Sequence, residues 1–139
     1  MKTENQILGI HATDLALLLG RLLLALIFVH EGLSLSWNFA GAVEAMAKVG
    51  IGTPLLLATI ALQLAAGLSV AFGFLTRIGA LSLGLFCLAT ALLFHTNFAS
   101  QNELLHFEKD FAIAGGMFVL VTSGAGSLSL DAWIQRFRD

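Results

Sequence analysis

Long apolar runs separated by short polar segments dominate the pattern of this chain. Four runs reach or approach the about 20 helical residues that cross a bilayer core of about 30 Å. They cover residues 12–35, 53–75, 77–98 and 107–123. Because a backbone in lipid must satisfy its hydrogen bonds within its own segment, each run is expected to be an α-helix. The pattern therefore predicts an all-α fold: one transmembrane domain over residues 1–139, built as a membrane-spanning four-helix bundle with short connections.

The segment between the first two runs has the mixed polarity of a helix lying on a membrane surface. Phe39 and Val43 recur at helical spacing, while Glu44 and Lys48 form an i,i+4 pair on the other side. This spacing predicts a short interfacial helix between spans one and two, with Asn38 at its start.

The C-terminal segment begins after a glycine-rich turn at residues 124–126. Either Ser129 or Asp131 can cap a helix there, and Trp133 suits the level of the lipid headgroups. A short amphipathic C-terminal helix is therefore predicted.

Composition agrees with a membrane protein. Hydrophobic residues make up 58% of the 139 residues and charged residues 12%, with a mean hydropathy of +0.89. A soluble domain is closer to half apolar and a quarter charged, so lipid is the expected surrounding. The formal net charge is −2 with no basic block, which argues against nucleic acid as a partner. Cys87 is the one cysteine, so the chain has no internal dithiol chemistry.

Lysine and arginine residues are distributed unevenly between the two predicted membrane sides. One side carries Lys2, Arg21, Arg77, Arg136 and Arg138, and the other carries Lys48 and Lys109. Positive residues accumulate on the cytoplasmic side of membrane proteins. The chain is therefore predicted to cross the membrane several times with both termini in the cytoplasm.

Two polar side chains lie deep inside predicted spans, where an unpaired charge is costly. Arg21 lies about 13 Å into the first span and Gln63 about 18 Å into the second, measured from the cytoplasmic side. They are close enough in depth to meet across the bundle and hold a carbonyl-bearing or anionic ligand. The alternative is that Arg21 is a structural clamp, with Asp14 and Asp131 on the same membrane side.

Histidines and acids gather at the opposite, outer level of the predicted spans. The candidate ligand-binding residues there are His30, Glu31, His95 and Glu108, and the candidate metal ligands are His30, His95, Glu103, His106 and Asp110. Glu-x-x-His spacing brings a carboxylate and an imidazole together, but a di-iron bundle needs two such pairs and this chain has one. A mononuclear zinc or copper site is the metal alternative. A hydrated polar collar, without a bound ligand, is the other interpretation.

Several motifs occur in one order along nearly the whole chain. They are Gly20-Arg21 followed by LLLALIFVHEG, the small-residue stretch 64–77, Phe94-His95, the segment 107–110 with 114–116, and the ending 124–131. In these motifs the chain resembles the DoxX family of small four-span bacterial membrane proteins. The resemblance implies a bacterial inner-membrane location, and some relatives look like membrane subunits associated with quinone-linked sulfur oxidation or thiol-redox complexes. Gln63 departs from the family pattern, since many relatives have an acidic residue there.

Three functional hypotheses follow, because the chain contains no complete catalytic motif. The first is a small membrane subunit or organiser of a redox-linked complex, acting with a membrane redox partner or a second copy. The second is a redox component that binds a quinone or a transition metal and uses the outer histidines and glutamates for protons. The third is a small-molecule or ion transporter that acts as an oligomer.

Overall fold

The computed structural model describes residues 2–138, with side chains from residue 12 onward. Over those residues the chain forms six α-helices, which confirms the all-α class. They are α1 (Lys2–Trp37), α2 (Phe39–Ala47), α3 (Thr53–Phe72), α4 (Thr76–Phe94), α5 (Gln101–Ser123) and α6 (Leu130–Arg136).

Helix boundaries follow local chemistry. Helix α3 starts with Pro54 in its first turn, where a missing N–H costs nothing. It ends at Gly73, whose φ of 71° is left-handed, and the Gly73 N–H donates to the α3 carbonyls of Ser69 and Val70. Leu75 also has a left-handed φ, of 50°, before α4 begins. This short connection makes α3 and α4 antiparallel neighbours.

Glycines allow the long helices to approach one another closely. A Cβ added at Gly67 would lie 3.1 Å from Val29 Cγ2, one at Gly79 would lie 3.2 Å from the Ala66 carbonyl oxygen of α3, and one at Gly84 would touch Phe118 of α5. Small residues at helix contacts are typical of helices that associate in lipid.

The four long helices pack in the order α1, α3, α4, α5, with a further contact between α1 and α5. Each helix runs antiparallel to the next, and all four contribute side chains to one apolar core. The buried core residues include Ala25, Phe28, Val70, Leu83 and Met117.

Three described segments are long and apolar enough to cross a membrane: Ala12–Trp37, Thr53–Phe72 and Thr76–Phe94. Helix α5 is not one of them, because Glu103, Glu108, Lys109 and Asp110 fall in its first ten residues. Only 22%, 28% and 33% of the three apolar windows are buried within the chain. Most of their apolar surface therefore faces outward, which is the arrangement expected for helices in lipid.

The two short helices form where they were predicted. Asn38 is the N-cap of α2, although its side chain makes no capping hydrogen bond, and Glu44 pairs with Lys48 at 3.4 Å. Ser129 caps α6, its Oγ accepting from the Ala132 N–H at 3.1 Å. The helices differ from the predicted span bounds around the α4–α5 loop: α4 ends at Phe94 rather than residue 98, because the chain turns at His95, and α5 begins at Gln101 rather than residue 107.

Candidate functional site

Arg21 lies on α1 and is almost completely buried, with 1% of its surface exposed. Its Nη1 donates to the carbonyl oxygen of Ala125 at 2.7 Å, and its Nη2 donates to that of Leu128 at 2.8 Å. Its Nε is buried without a hydrogen-bond partner among the described residues. The guanidinium is thus held by the segment that connects α5 to α6, more than a hundred residues away in sequence.

The segment 124–131, which contains this connection and the first two residues of α6, is itself hydrogen-bonded to α1. The buried carboxylate of Asp14 accepts from the Ser127 N–H at 2.9 Å. Ser129 Oγ donates to the Gly126 carbonyl at 2.6 Å. Together these bonds shape the segment into a cradle of backbone carbonyls around Arg21.

Asp131 joins the cradle to the turn between α3 and α4. One carboxylate oxygen accepts from the Leu75 N–H at 2.8 Å, and the other accepts from the N–H and hydroxyl of Thr76 at 3.1 and 3.0 Å. The Asp131 N–H donates to the Gly73 carbonyl at 2.8 Å. Asp131 therefore caps α4 from a distant part of the chain and fixes the left-handed backbone of Leu75.

Gly73 is required by the same arrangement. A Cβ at this position would collide with Arg21 Nη1 and lie 2.5 Å from Ser129 Cβ. We call this assembly, comprising Arg21, Gly73, Thr76 and residues 124–131, the arginine end. The hydrogen bonds of the arginine end support the interpretation of Arg21 as a structural clamp rather than a ligand-binding residue.

The structure does not bring Arg21 and Gln63 together. Gly73 contacts Arg21, and Gln63 is ten residues earlier on α3, which is about 15 Å along the axis. Gln63 instead lies beside Gly32 of α1. The two side chains lie at different depths because α1 continues past the α3–α4 turn, so Arg21 is level with that turn rather than with mid-helix.

Gln63 is nevertheless an unusual residue. It is 7% exposed, and its Oε1 is buried with no hydrogen-bond partner among the described residues. An unpaired buried oxygen of this kind destabilises the fold by about 1–3 kcal/mol.

At the opposite ends of α4 and α5, polar side chains form a second assembly. His95 Nδ1 lies 2.9 Å from Glu103 Oε2, and His95 Nε2 lies 4.0 Å from Asp110 Oδ2. The His95 and Glu103 side chains are 25% and 31% exposed, and that of Asp110 is 14% exposed. The imidazole therefore stands between two carboxylates at the edge of the protein interior. With Thr90 and His106, these residues are the histidine cluster.

His106 extends the cluster toward solvent. Its ring stacks on His95 with centroids 5.2 Å apart, and its Nδ1 lies 3.1 Å from Lys109 Nζ. An ammonium group has only donors, and the role of His106 Nδ1 in this contact depends on the histidine tautomer.

Sequence reasoning missed Thr90. Its Oγ lies 3.0 Å from Asp110 Oδ2 and 2.9 Å from the Cys87 carbonyl. The signal was weak, since a threonine inside an apolar helix usually bonds its own backbone. Cys87 itself is buried in the core, in agreement with a structural thiol.

The remaining predicted site residues stay outside the cluster. His30 and Glu31 are exposed and lie 4.0 Å apart at the nearest nitrogen and oxygen, and Glu108 is exposed on α5. Among the described residues, no three His, Cys, Asp or Glu side chains are arranged to hold a metal ion. The structure thus joins His95, Glu103, His106 and Asp110 but leaves His30 apart, and it does not assemble the predicted metal site.

The histidine cluster brings one imidazole between two carboxylates. The donor and acceptor roles in the contact between His95 Nδ1 and Glu103 depend on the histidine tautomer. His95 Nε2 faces Asp110 at 4.0 Å. Histidine is the side chain most often used to shuttle protons near neutral pH.

Comparisons with known proteins agree on one family. The sequence profile of the DoxX family matches residues 16–96. Inner membrane protein YqjF of Escherichia coli K12 is 36% identical over 123 residues, covering 88% of this chain and 95% of that protein. Inner membrane protein YphA of the same organism is 33% identical over 127 residues, covering 86% of this chain and 91% of that protein. No solved structure matches the chain.

Proposed function

The chain belongs to the DoxX family, and on that basis we propose that it is a four-span inner-membrane protein serving as the membrane subunit of a redox-linked complex. Both relatives are named as inner membrane proteins. In this proposal the histidine cluster exchanges protons with the redox partner, and the arginine end holds the helices in place.

The fourth span is supported by the way α5 accompanies α4. At one end His95 contacts Glu103, and at the other Arg77 lies against Gly124. Helix α5 therefore covers the full length of α4, which is itself long enough to cross. Its charged first turns lie beside His95, where α4 ends, and its apolar part from Phe111 onward lies along the core. Four crossings place both termini on one side, and the arginine and lysine distribution favours the cytoplasm.

A labelling experiment tests this topology in the intact chain. Asn97 and Arg138 are exposed at opposite ends, while Cys87 is buried, so the unmodified protein is the unlabelled control. We expect a membrane-impermeant maleimide added to whole cells to label Asn97→Cys and not Arg138→Cys. Labelling of both, or of Arg138→Cys alone, contradicts the proposed orientation.

The observation that carries the function is the position of His95 between Glu103 and Asp110. The cluster is only partly buried, so a partner can reach it, and its bonds are between side chains that can change protonation without unfolding a helix. The two ends are separated by the apolar core. A single copy therefore offers no polar path from one end to the other, and no observation favours the transporter hypothesis.

A recovery and turnover experiment tests the function. The tagged protein is extracted in mild detergent, and we expect a stoichiometric partner that carries a haem, a flavin, a bound quinone or a reactive dithiol. His95→Gln is expected to slow proton-coupled turnover of that partner by about 100-fold. His30→Gln, an exposed histidine at the same end, is the matched control and leaves the rate unchanged. Recovery without any redox partner, or equal rates for the two variants, contradicts the proposal.

A further inference from the structure

A groove at the arginine end is independent of the proton-exchange site. It has a volume of about 430 Å³, within the range of small-ligand sites. Its walls come from the first turn of α4, the end of α5 with the turn that follows, and one side of α6. The polar residues that line it are Thr76, Arg77, Ser123, Ser129, Asp131 and Gln135. We call it the Arg77 groove.

Most polar groups in the groove are already bonded within the chain. The Thr76 hydroxyl donates to Asp131, the Ser123 hydroxyl to the Gly124 carbonyl at 3.2 Å, and the Ser129 hydroxyl to the Gly126 carbonyl. Both Asp131 oxygens accept from the start of α4. The acidic group in the groove is therefore bonded away from an incoming ligand.

Two donors remain. Arg77 Nε and Nη2 would lie 3.4 Å from a Cβ at Gly124, so the guanidinium lies across this turn. Within the described part of the chain, neither Arg77 nor Gln135 forms a side-chain hydrogen bond, and Arg77 forms no ion pair. The groove thus offers a planar cationic fork and an amide, and no unused carboxylate. That donor set matches the oxygens of a phosphate group.

The surroundings of the groove distinguish a lipid from a soluble phosphate. Leu75 and Ile78 line the groove and are 53% and 64% exposed. On α6, Trp133 and Phe137 are also exposed and pack edge to face with ring centroids 4.6 Å apart. Helix α4, a candidate span, begins at this level. A phosphate held by Arg77 would therefore lie at a membrane boundary, beside apolar side chains that suit acyl chains.

We propose that the Arg77 groove binds the headgroup of an anionic phospholipid, with Arg77 and Gln135 donating to its phosphate oxygens. Arg77 has no ion pair among the residues that the structure describes, and its positive charge favours anionic over zwitterionic lipid, because a choline group would bring a second cation close to the guanidinium. Basic pockets at the ends of membrane helices bind anionic lipid headgroups by the same chemistry.

Native mass spectrometry of the full-length protein in mild detergent tests the proposal. We expect phosphatidylglycerol to bind more tightly than phosphatidylcholine, and Arg77→Gln to weaken phosphatidylglycerol binding by about tenfold. Ala132 lines the groove, so Ala132→Leu fills it while keeping every charge, and the same loss is expected. Arg138→Gln removes a charge at the same end outside the groove, and is expected to change affinity by less than about twofold.

Each alternative gives a different result. If Arg77→Gln and Arg138→Gln weaken phosphatidylglycerol binding equally, general surface charge explains the binding and the groove does not. If Arg77→Gln and Ala132→Leu both bind phosphatidylglycerol as the wild type does, the proposal is wrong. Displacement of phosphatidylglycerol by excess inorganic phosphate identifies a site for free phosphate and contradicts the assignment of a lipid as the ligand. Because Arg77 makes no bond within the described chain, its variant should melt with the wild type in lipid-free detergent.

Discussion

The arginine end and the histidine cluster both hold polar side chains at the ends of the same apolar helices, yet their bonds differ in kind. Arg21 is buried and donates to main-chain carbonyls of Ala125 and Leu128. His95 is partly exposed, and its Nδ1 contacts the Glu103 side chain in the first turn of α5. A main-chain carbonyl is held in place by the backbone and does not ionise. A carboxylate side chain can rotate and can take up a proton.

In the proposed function, this difference separates a structural role from a reactive one. The arginine end ties α1 to the α5–α6 segment and, through Asp131, to the α3–α4 turn, so its loss loosens several helices together. The histidine cluster joins only α4, α5 and the loop between them. We expect substitutions at the first to change stability and those at the second to change function, and four measurements test that contrast.

The largest effect is expected for Arg21→Ala. It leaves the buried carbonyl of Ala125 and the part-buried carbonyl of Leu128 without their donor, which should destabilise the fold by about 3–5 kcal/mol. Thermal unfolding in detergent and the yield of membrane-inserted protein measure this loss. Arg136→Ala, an exposed arginine on α6, is the control with an expected effect below about 0.5 kcal/mol. Similar unfolding temperatures for the two variants would contradict a structural role for Arg21.

Gly73→Ala should have the next largest effect. The added Cβ meets the Arg21 guanidinium and forces a side chain into left-handed backbone, at a cost of about 2–3 kcal/mol. Gly20→Ala is the matched control, because a Cβ there meets nothing within 4 Å and helix propensity favours alanine by up to about 1 kcal/mol. The same thermal measurement should therefore show shifts of opposite sign, and shifts of the same sign contradict the assignment of Gly73.

Gln63→Leu should stabilise the protein by about 1 kcal/mol, because it removes a buried oxygen that has no donor within the described part of the chain. Gln101→Leu, at an exposed position, is expected to change stability by less than about 0.5 kcal/mol. A lower unfolding temperature for Gln63→Leu would show that this amide makes a bond that the fold depends on.

The smallest effect on stability is expected at the histidine cluster. Glu103→Gln weakens one partly exposed contact with His95 and should cost no more than about 1 kcal/mol. Glu44→Gln, which alters the exposed pair with Lys48, gives the reference value. If Glu103→Gln destabilises as strongly as Arg21→Ala, the distinction between the two ends fails.

Helix positions were largely predictable because lipid imposes a strong local rule. An apolar run long enough to cross must be helical, whatever it packs against, so the starts of α3 and α4 and the presence of α2 and α6 followed from the sequence. The end of α4 was misplaced because Phe98 was counted with the apolar run, across the polar residues His95, Thr96 and Asn97. Those three residues mark the loop in the local composition.

The candidate sites were less predictable because they depend on depth and on main-chain atoms. Counting 1.5 Å per residue placed His95, Glu103, His106 and Asp110 together, since they lie on adjacent helices joined by one loop. The same counting placed Arg21 beside Gln63, which was wrong, because it assumed that all spans begin at one level. The partners of Arg21 are carbonyls, and every residue has a carbonyl, so side-chain identity gave no signal for them.

The sequence by itself determined the family, the all-α class, the candidate spans and the residue types available at each end, because hydrophobicity and helical rise are local properties. Only the tertiary structure decided that Arg21 is enclosed by the 124–131 segment, that His30 is excluded from the histidine cluster, and that Arg77 has no partner among the described residues. Those outcomes depend on the relative shift of neighbouring helices along their axes. That shift is set by contacts such as Gly67 against Val29 and Gly73 against Arg21, which join residues far apart in the chain.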